Sequence, residues 1–254
     1  MKKLLAITAL SAALFFGQTA VAEEKAAEEV KTSHVEMVLV LDESGSMSDL
    51  TRDTIGGFNS MIEKEKKLDV DAHVTTVLFN DQYKMLYNRR ELKDVSKMTD
   101  KDYTPGGMTA LLDAVGRTIH KMDMVAGIHR KDKGNKVLFV IITDGEENDS
   151  KEYTYADVKK LIKDRQENAG WEFIFLGANI DAAAAAENLG IDRDRAVKYK
   201  NTGSGVRANF KAVAELSDSL AKSGRVSDRW KETVEKDEDD AADKQSAAVT
   251  SHRR

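Results

Sequence analysis

The sequence predicts an α/β domain: a doubly wound, mainly parallel six-stranded sheet with one antiparallel edge strand and helices on both faces. Two nearly unbroken apolar runs, 35–41 and 137–142, are typical of parallel strands that are buried on both sides. Segments with helical periodicity alternate with the strands, which indicates a parallel sheet covered by helices. Two shorter strands are separated only by Asn80-Asp81-Gln82, so we expect a hairpin there.

The remaining elements follow from the spacing of apolar residues. After the first strand, the predicted strands are 74–79, 83–87, 137–143, 171–176 and 196–199. Apolar residues at intervals of three and four predict helices over about 48–66, 111–122, 158–162, 181–189 and 206–220. We expect Thr154 to be the N-cap of the third helix and Gly190 to end the fourth.

The N-terminus has the layout of a secretory signal peptide. Two lysines precede an apolar stretch from Leu4 to Phe16, and small residues lead up to Ala22. Residues 1–22 are therefore predicted to be removed on export. The lysine-leading start is similar to bacterial signal peptides, which implies a periplasmic, secreted or cell-surface location. No other segment is long and apolar enough to cross a membrane, so we expect no membrane span in the mature chain.

The rest of the chain is predicted to hold one domain with charged ends. Residues 23–33 are a flexible leader, and residues 34–223 form the domain. Residues 224–254 are rich in charge and poor in apolar residues, so we expect a tail that is disordered, or helical only when docked.

Composition excludes several function classes. The chain carries 39 basic and 44 acidic residues, a net charge of −5, and such a surface gives no support for nucleic-acid binding. It has no cysteine, so disulfides and thiolate metal sites are excluded. The five histidines show no metal-ligand spacing, and we expect them to be structural or surface residues. We recognise no catalytic Ser-His-Asp set, phosphate-binding loop or dinucleotide fingerprint.

A polar cluster, Asp42-Glu43-Ser44-Gly45-Ser46, directly follows the first predicted strand. In open α/β sheets, ligands bind at the carboxyl ends of the strands. One carboxylate and two hydroxyls at alternate positions can turn three hard oxygens toward one point, and such a set suits a hard divalent cation. Glu43, Glu146 and Glu147 lie beside this site and could add ligands or set its specificity, but we expect all three to be solvated charges.

Two further segments accompany this cluster: Gly106-Gly107-Met108-Thr109, a turn that opens a helix, and Thr143-Asp144-Gly145, at the end of a buried strand. Asp-x-Ser-x-Ser, Gly-Gly-x-Thr and strand-Thr-Asp-Gly, in this order, resemble the von Willebrand factor A family. In that family the three segments form the metal-ion-dependent adhesion site, at the upper edge of a doubly wound sheet. The resemblance covers about residues 33–223.

The resemblance implies a role for five residues. Ser44 and Ser46 would bind an ion through their hydroxyls, and Thr109 would bind it directly or through water. Asp42 and Asp144 would act through waters and through hydrogen bonds to the serines. The implied ion is Mg²⁺, with Mn²⁺ or Ca²⁺ as alternatives, and a Glu or Asp carboxylate of a partner protein would complete its coordination. The predicted function is an exported, non-enzymatic adhesion or interaction module.

Two other functions stay open at this point. A buried strand that ends in an aspartate, here Asp42, also resembles Mg²⁺-dependent phosphohydrolases. These enzymes use such an aspartate as the nucleophile and carry a second acid where this chain has Ser44. The domain could also be a subunit or chaperone that helps to assemble a larger complex. That function would differ from adhesion in the partner and not in the chemistry of the site.

Overall fold

A computed structural model describes residues 33–125 and 135–236 of the chain. The predicted signal peptide, most of the leader and residues 237–254 lie outside the described residues. The strands are β1 (Val35–Asp42), β2 (Ala72–Phe79), β3 (Tyr83–Glu91), β4 (Lys136–Thr143), β5 (Glu172–Gly177) and β6 (Ala196–Lys198). The helices are α1 (Thr51–Lys67), α2 (Leu111–Asp123), α3 (Tyr155–Asp164), α4 (Ala182–Leu189) and α5 (Gly203–Ser223).

The six strands form one sheet in the order β3-β2-β1-β4-β5-β6. All neighbouring pairs are parallel except β2 and β3, which form the expected antiparallel hairpin at one edge. The chain builds outward from β1 to β2 on one side and then continues from β4 on the other. The strand order therefore reverses between β1 and β4, and a crevice for ligands is expected at their carboxyl ends.

Alternate residues of β1 feed two apolar cores, one on each face of the sheet. Met37 and Leu39 pack in the core that includes α1 and α5. Val38 and Val40 pack in the core that includes α2, α3 and α4. Successive side chains of a strand point to opposite faces, so this apolar run is buried on both sides. The predicted doubly wound α/β fold is confirmed.

The element boundaries differ from the prediction in two places that matter for the sites below. Helix α1 begins at Thr51, because Gly45–Leu50 form a separate 3₁₀ turn after β1. Strand β3 reaches Glu91, four residues beyond its predicted end. Its last residues are polar and lie on an edge strand, so an apolar pattern could not reveal them. The Thr154 N-cap is confirmed and forms a capping box with Asp157.

Folded structure continues past residue 223. Val226, Trp230 and Val234 are buried in the core beside α1 and α5, and Trp230 is only 1% exposed. The end of the domain therefore moves from residue 223 to about Val234, and residues 224–236 agree with the docked form of the tail and not with the disordered one. None of the helices in the described part of the chain is both long and apolar enough to span a membrane.

Candidate metal centre

Asp42 is the last residue of β1, and its side chain is buried, with 1% of the residue exposed. Its Oδ1 accepts a hydrogen bond from the Ser44 backbone N–H at 2.7 Å. Its Oδ2 accepts one from the Thr143 hydroxyl at 2.6 Å. The Tyr103 hydroxyl donates to the Asp42 carbonyl at 2.6 Å. The carboxylate thus links the end of β1 to the end of β4 and fixes the first turn of the loop that carries Ser44 and Ser46, here called the serine loop.

The hydroxyls of Ser44 and Ser46 lie side by side, with their Oγ atoms 3.1 Å apart. The Ser46 hydroxyl donates to Asp144 Oδ1 at 2.5 Å. Asp144 directly follows β4 and is 2% exposed, and its Oδ2 accepts a hydrogen bond from Asn201 Nδ2 at 3.3 Å. The two serines and Asp144 therefore form a continuous chain of oxygens across the switch point of the sheet.

Thr109 reaches the same place from the loop that precedes α2. Its backbone N–H donates to Asn148 Oδ1 at 2.9 Å, and its carbonyl accepts from the Asn148 N–H at 3.0 Å. A Cβ placed on Gly145 would lie 3.7 Å from Thr109 Oγ1 and 3.9 Å from Ser46 Oγ, so both hydroxyls border this glycine. The structure thus brings all five predicted residues together. Their role as metal ligands stays a prediction.

The Gly-Gly turn holds the Thr109 loop against the serine loop. The Gly106 N–H donates to the Glu43 carbonyl at 2.9 Å, and the Gly45 N–H donates to the Gly107 carbonyl at 3.2 Å. Gly107 has a φ of +76°, and a Cβ at this position would meet the carboxylate of Asp81, an exposed side chain that can move aside. The left-handed backbone is therefore the reason that position 107 favours glycine.

Of the three glutamates expected to be solvated, only Glu146 is exposed. Glu43 is 5% exposed, and its Oε1 accepts a hydrogen bond from the Thr104 N–H at 2.5 Å. The Glu147 carboxylate accepts from the Leu112 N–H at 3.0 Å, in the first turn of α2, where a negative charge is favourable. The expectation is wrong for Glu43 and Glu147, because both carboxylates hold loops of the site in place.

Sequence reasoning also missed the groups that orient the predicted ligands. Thr143 lies beside Asp144 in the motif, and that position was the one available signal for its contact with Asp42. Asn148 and Asn201 come from polar loops, whose course a single sequence does not reveal.

Within the described part of the chain, the two buried carboxylates of the centre have no positively charged partner. The pKa of Asp42 is raised above its ordinary value, chiefly by burial and further by the charge of Asp144, although hydrogen bonds from Ser44 and Thr143 oppose the rise. Among the ion pairs of residues 33–125 and 135–236, none includes Asp42 or Asp144. An unpaired buried charge is costly, so a bound cation would relieve this arrangement.

The donor atoms also suit a hard cation. They are hydroxyl and carboxylate oxygens, the ligands that Mg²⁺ prefers in proteins. Octahedral Mg²⁺ with bonds of about 2.0–2.1 Å places neighbouring ligand oxygens about 2.9 Å apart. The 3.1 Å separation of the Ser44 and Ser46 hydroxyls is close to that spacing. The residues present therefore fit a magnesium-like ion.

This sheet order and the three loops at its switch point define the protein as a von Willebrand A domain. A family model named vWA-TerF-like, described as the vWA found in the TerF C terminus, matches residues 34–190. The match covers more than half of the chain, so the chain belongs to the vWA-TerF-like family. A search of curated proteins finds no match.

Several solved structures share this fold. The open conformation of the pilus adhesin SpaC from Lactobacillus rhamnosus GG has a TM-score of 0.59 at 13% identity, over 74% of this chain and 30% of that one. The vWF domain of the type V pili tip protein Mfa5 from Porphyromonas gingivalis has a TM-score of 0.54 at 11% identity, over 78% and 99%. A von Willebrand factor type A structure from Catenulispora acidiphila has a TM-score of 0.51 at 15% identity, over 73% and 43%. At these identities the likeness shows the fold alone, and this chain spans less than half of the first and third.

Proposed function

We propose that this domain is a divalent-metal-dependent protein-binding module. A Mg²⁺ ion, with Mn²⁺ or Ca²⁺ as alternatives, would sit among Ser44, Ser46 and Thr109 and attract a Glu or Asp carboxylate of a partner protein. The observation that carries this proposal is the pair of buried carboxylates, Asp42 and Asp144, that no basic group among the described residues neutralises. A cation at the neighbouring hydroxyls would supply the missing charge.

Each residue of the centre would have a distinct task. Hydroxyls of Ser44, Ser46 and Thr109 are neutral donors, so an ion held by them would keep much of its charge for an incoming carboxylate. Asp144 orients the Ser46 hydroxyl through the 2.5 Å hydrogen bond. Asp42 positions Ser44 through its backbone N–H. The bound ion would act as the positive centre of a protein–protein contact.

The cellular setting of this module is also part of the proposal. The predicted signal peptide would place the domain in the periplasm, on the cell surface or in the medium of a bacterium. Structures with the same fold include a pilus adhesin and a pili tip protein, which supports a role in adhesion or in the assembly of a surface structure.

The phosphohydrolase alternative fits the geometry less well. Both carboxylate oxygens of Asp42 accept hydrogen bonds, from the Ser44 N–H and from the Thr143 hydroxyl, and the residue is only 1% exposed. A nucleophile needs a free oxygen that faces the substrate. A phosphatase assay with Mg²⁺, on the wild type and Asp42→Asn, tests this alternative: activity that the variant loses would favour it over the binding module.

A thermal melt tests the metal centre directly. Mg²⁺ that binds only the folded protein must stabilise it, by about 2.7 kcal/mol when the Mg²⁺ concentration is 100 times the dissociation constant. This added stability raises the melting midpoint. The wild type should show this rise over a chelator-treated sample, and Ser46→Ala should lose it. Ser60→Ala, an exposed serine on α1, is the matched control and should keep it. An equal rise in Ser46→Ala and Ser60→Ala would contradict the proposed site.

A further inference from the structure

A second polar cluster lies at the amino ends of β1 and β2, whereas the candidate metal centre lies at the carboxyl ends of the strands. Glu36 stands near the start of β1, and the parallel register places it beside His73 of β2. His34 directly precedes β1, and its ring lies 4.7 Å from that of His73. The sequence spacing of the histidines does not indicate this pair, which the pairing of β1 with β2 brings together. Glu36 is 1% exposed, so the cluster is built partly into the sheet.

The three candidate ligand atoms of this cluster are close together. His34 Nε2 lies 2.9 Å from His73 Nδ1 and 3.3 Å from Glu36 Oε1, and His73 Nδ1 lies 3.3 Å from the same oxygen. A four-coordinate zinc ion with bonds of about 2.0–2.1 Å places its ligand atoms about 3.3–3.4 Å apart. The three atoms therefore outline one face of such a tetrahedron and leave its fourth position for water or another ligand.

The outer nitrogen of His34 supports this arrangement. His34 Nδ1 lies 2.9 Å from Asp71 Oδ1. Donation of the Nδ1 proton to this carboxylate leaves the Nε2 lone pair directed at the cluster. A carboxylate bound to the outer nitrogen is the usual partner of a metal-ligating histidine, and it fixes both the tautomer and the ring orientation.

The Nη2 group of Arg89 is the group that a metal ion would have to displace. Arg89 Nε donates to Glu36 Oε2 at 3.0 Å, and Nη2 lies 2.5 Å from Glu36 Oε1 and 3.3 Å from His73 Nδ1. Arg89 has a φ of +45° where the β2–β3 register is irregular, a costly conformation for a residue with a side chain. An ion at Glu36 Oε1 would compete with Nη2 while Nε kept its bond to the other oxygen.

We propose that His34, Glu36 and His73 form a binding site for a divalent transition-metal ion, with Zn²⁺ as the preferred ion. Two imidazole nitrogens with one carboxylate are a donor set that suits zinc and not magnesium. The site is distinct from the Ser44–Ser46 centre and does not depend on that centre's function. Without a metal, the same residues form an ion-pair network in which Arg89 lies closest to the Glu36 carboxylate, with His34 and His73 beside it.

Spectroscopic titration with Co²⁺, followed by displacement with Zn²⁺, tests the proposal on protein purified without a polyhistidine tag. Ser46→Ala is the background, because it removes the hydroxyl centre. We expect one Co²⁺ with the visible spectrum of a four-coordinate ion, and at least a tenfold weaker affinity in His34→Ala and His73→Ala. His120→Ala is the control, since His120 is exposed on α2 and bonds to the Tyr153 hydroxyl. Wild-type spectra and affinities in both cluster variants would overturn the site.

Arg89→Gln provides a test that survives even if a histidine variant fails to fold. Removing the guanidinium takes away the competitor for Glu36 Oε1, so Zn²⁺ should bind this variant several-fold more tightly and raise its melting midpoint more than that of the parent. A closed ion-pair network predicts the reverse, because the network loses its cation and gains no ligand. Equal or weaker Zn²⁺ binding in Arg89→Gln would therefore refute the proposal.

Discussion

Glu65 of α1 should make the stability of this domain fall as the pH rises. Its side chain is fully buried between α1 and α5, where Oε2 accepts a hydrogen bond from the Ser217 hydroxyl at 2.7 Å. Within the described residues, Oε1 has no hydrogen-bond partner. Burial raises the pKa of Glu65 to about 7, against the opposing effect of the Ser217 hydrogen bond, and the charge of Asp218 raises it further.

The sign and size of the effect follow from this pKa. The folded state binds the proton of Glu65 more tightly than the unfolded state, whose value is 4.5. The group's stabilisation is therefore complete below pH 4.5 and is lost as the pH rises through about 7. At about 1.4 kcal/mol for each pKa unit, the full loss is about 3 kcal/mol, and most of it falls between pH 5 and pH 8.

Urea unfolding at pH 5 and pH 8, in chelator, measures this loss. Glu65→Gln keeps the shape of the side chain and cannot ionise. From pH 5 to pH 8, its free energy of unfolding should therefore rise by about 2–3 kcal/mol relative to that of the wild type. Glu63→Gln removes the same charge from an exposed position on the same helix and is the control. If the two variants respond to pH alike, Glu65 does not carry the burial penalty that its position implies.

Three further predictions concern glycines and the docked tail. Gly107→Ala should weaken the stabilisation by Mg²⁺, because position 107 has a positive φ. Gly106→Ala is the control and should keep that stabilisation, because a Cβ there meets open space. Equal Mg²⁺-dependent melting shifts in the two variants would contradict the prediction. Gly57→Ala should cost about 1–3 kcal/mol in urea unfolding, because its Cβ would lie 2.5 Å from a phenylalanine ring of α5. In Gly56→Ala the new Cβ meets no other atom, and the variant should be about 0.4–1 kcal/mol more stable than the wild type. If Gly57→Ala were instead the more stable of the two variants, the packing of α1 against α5 would be contradicted. Trp230→Ala should cost about 3–5 kcal/mol, and a loss near zero would return residues 224–236 to a loose tail.

The fold was predictable because local patterns in this chain agree with its topology. Doubly buried strands produce continuous apolar runs, and the polar segments Asp42–Ser46 and Thr143–Gly145 follow two of those runs directly. In a parallel sheet the carboxyl ends of neighbouring strands meet at one edge. Strand type explains why Asp42–Ser46 and Asp144 meet, and the resemblance to the von Willebrand factor A family added Thr109 from the loop before α2.

Other contacts depend on register and docking, which local patterns do not show. His34 and His73 are far apart in sequence, and only the parallel pairing of β1 with β2 brings their rings into contact. The docked tail did carry a signal, since Val226, Trp230 and Val234 recur at intervals of four residues. The charge around them outweighed it in a judgement based on composition.

The two candidate centres can be separated because they use opposite ends of β1. Glu36 and Asp42 are six residues apart, about 20 Å along a strand, and at that distance two unit charges interact by only about 0.8 kcal/mol at an effective dielectric constant of about 20. Charge at one centre should therefore affect the other weakly. Mg²⁺ should stabilise His73→Ala as much as the wild type, because oxygen donors hold it at the carboxyl end. Zn²⁺ should likewise stabilise Ser46→Ala through the imidazoles at the other end. If His73→Ala loses both responses, the donor sets are not independent, and a single ion site would have to explain both metals.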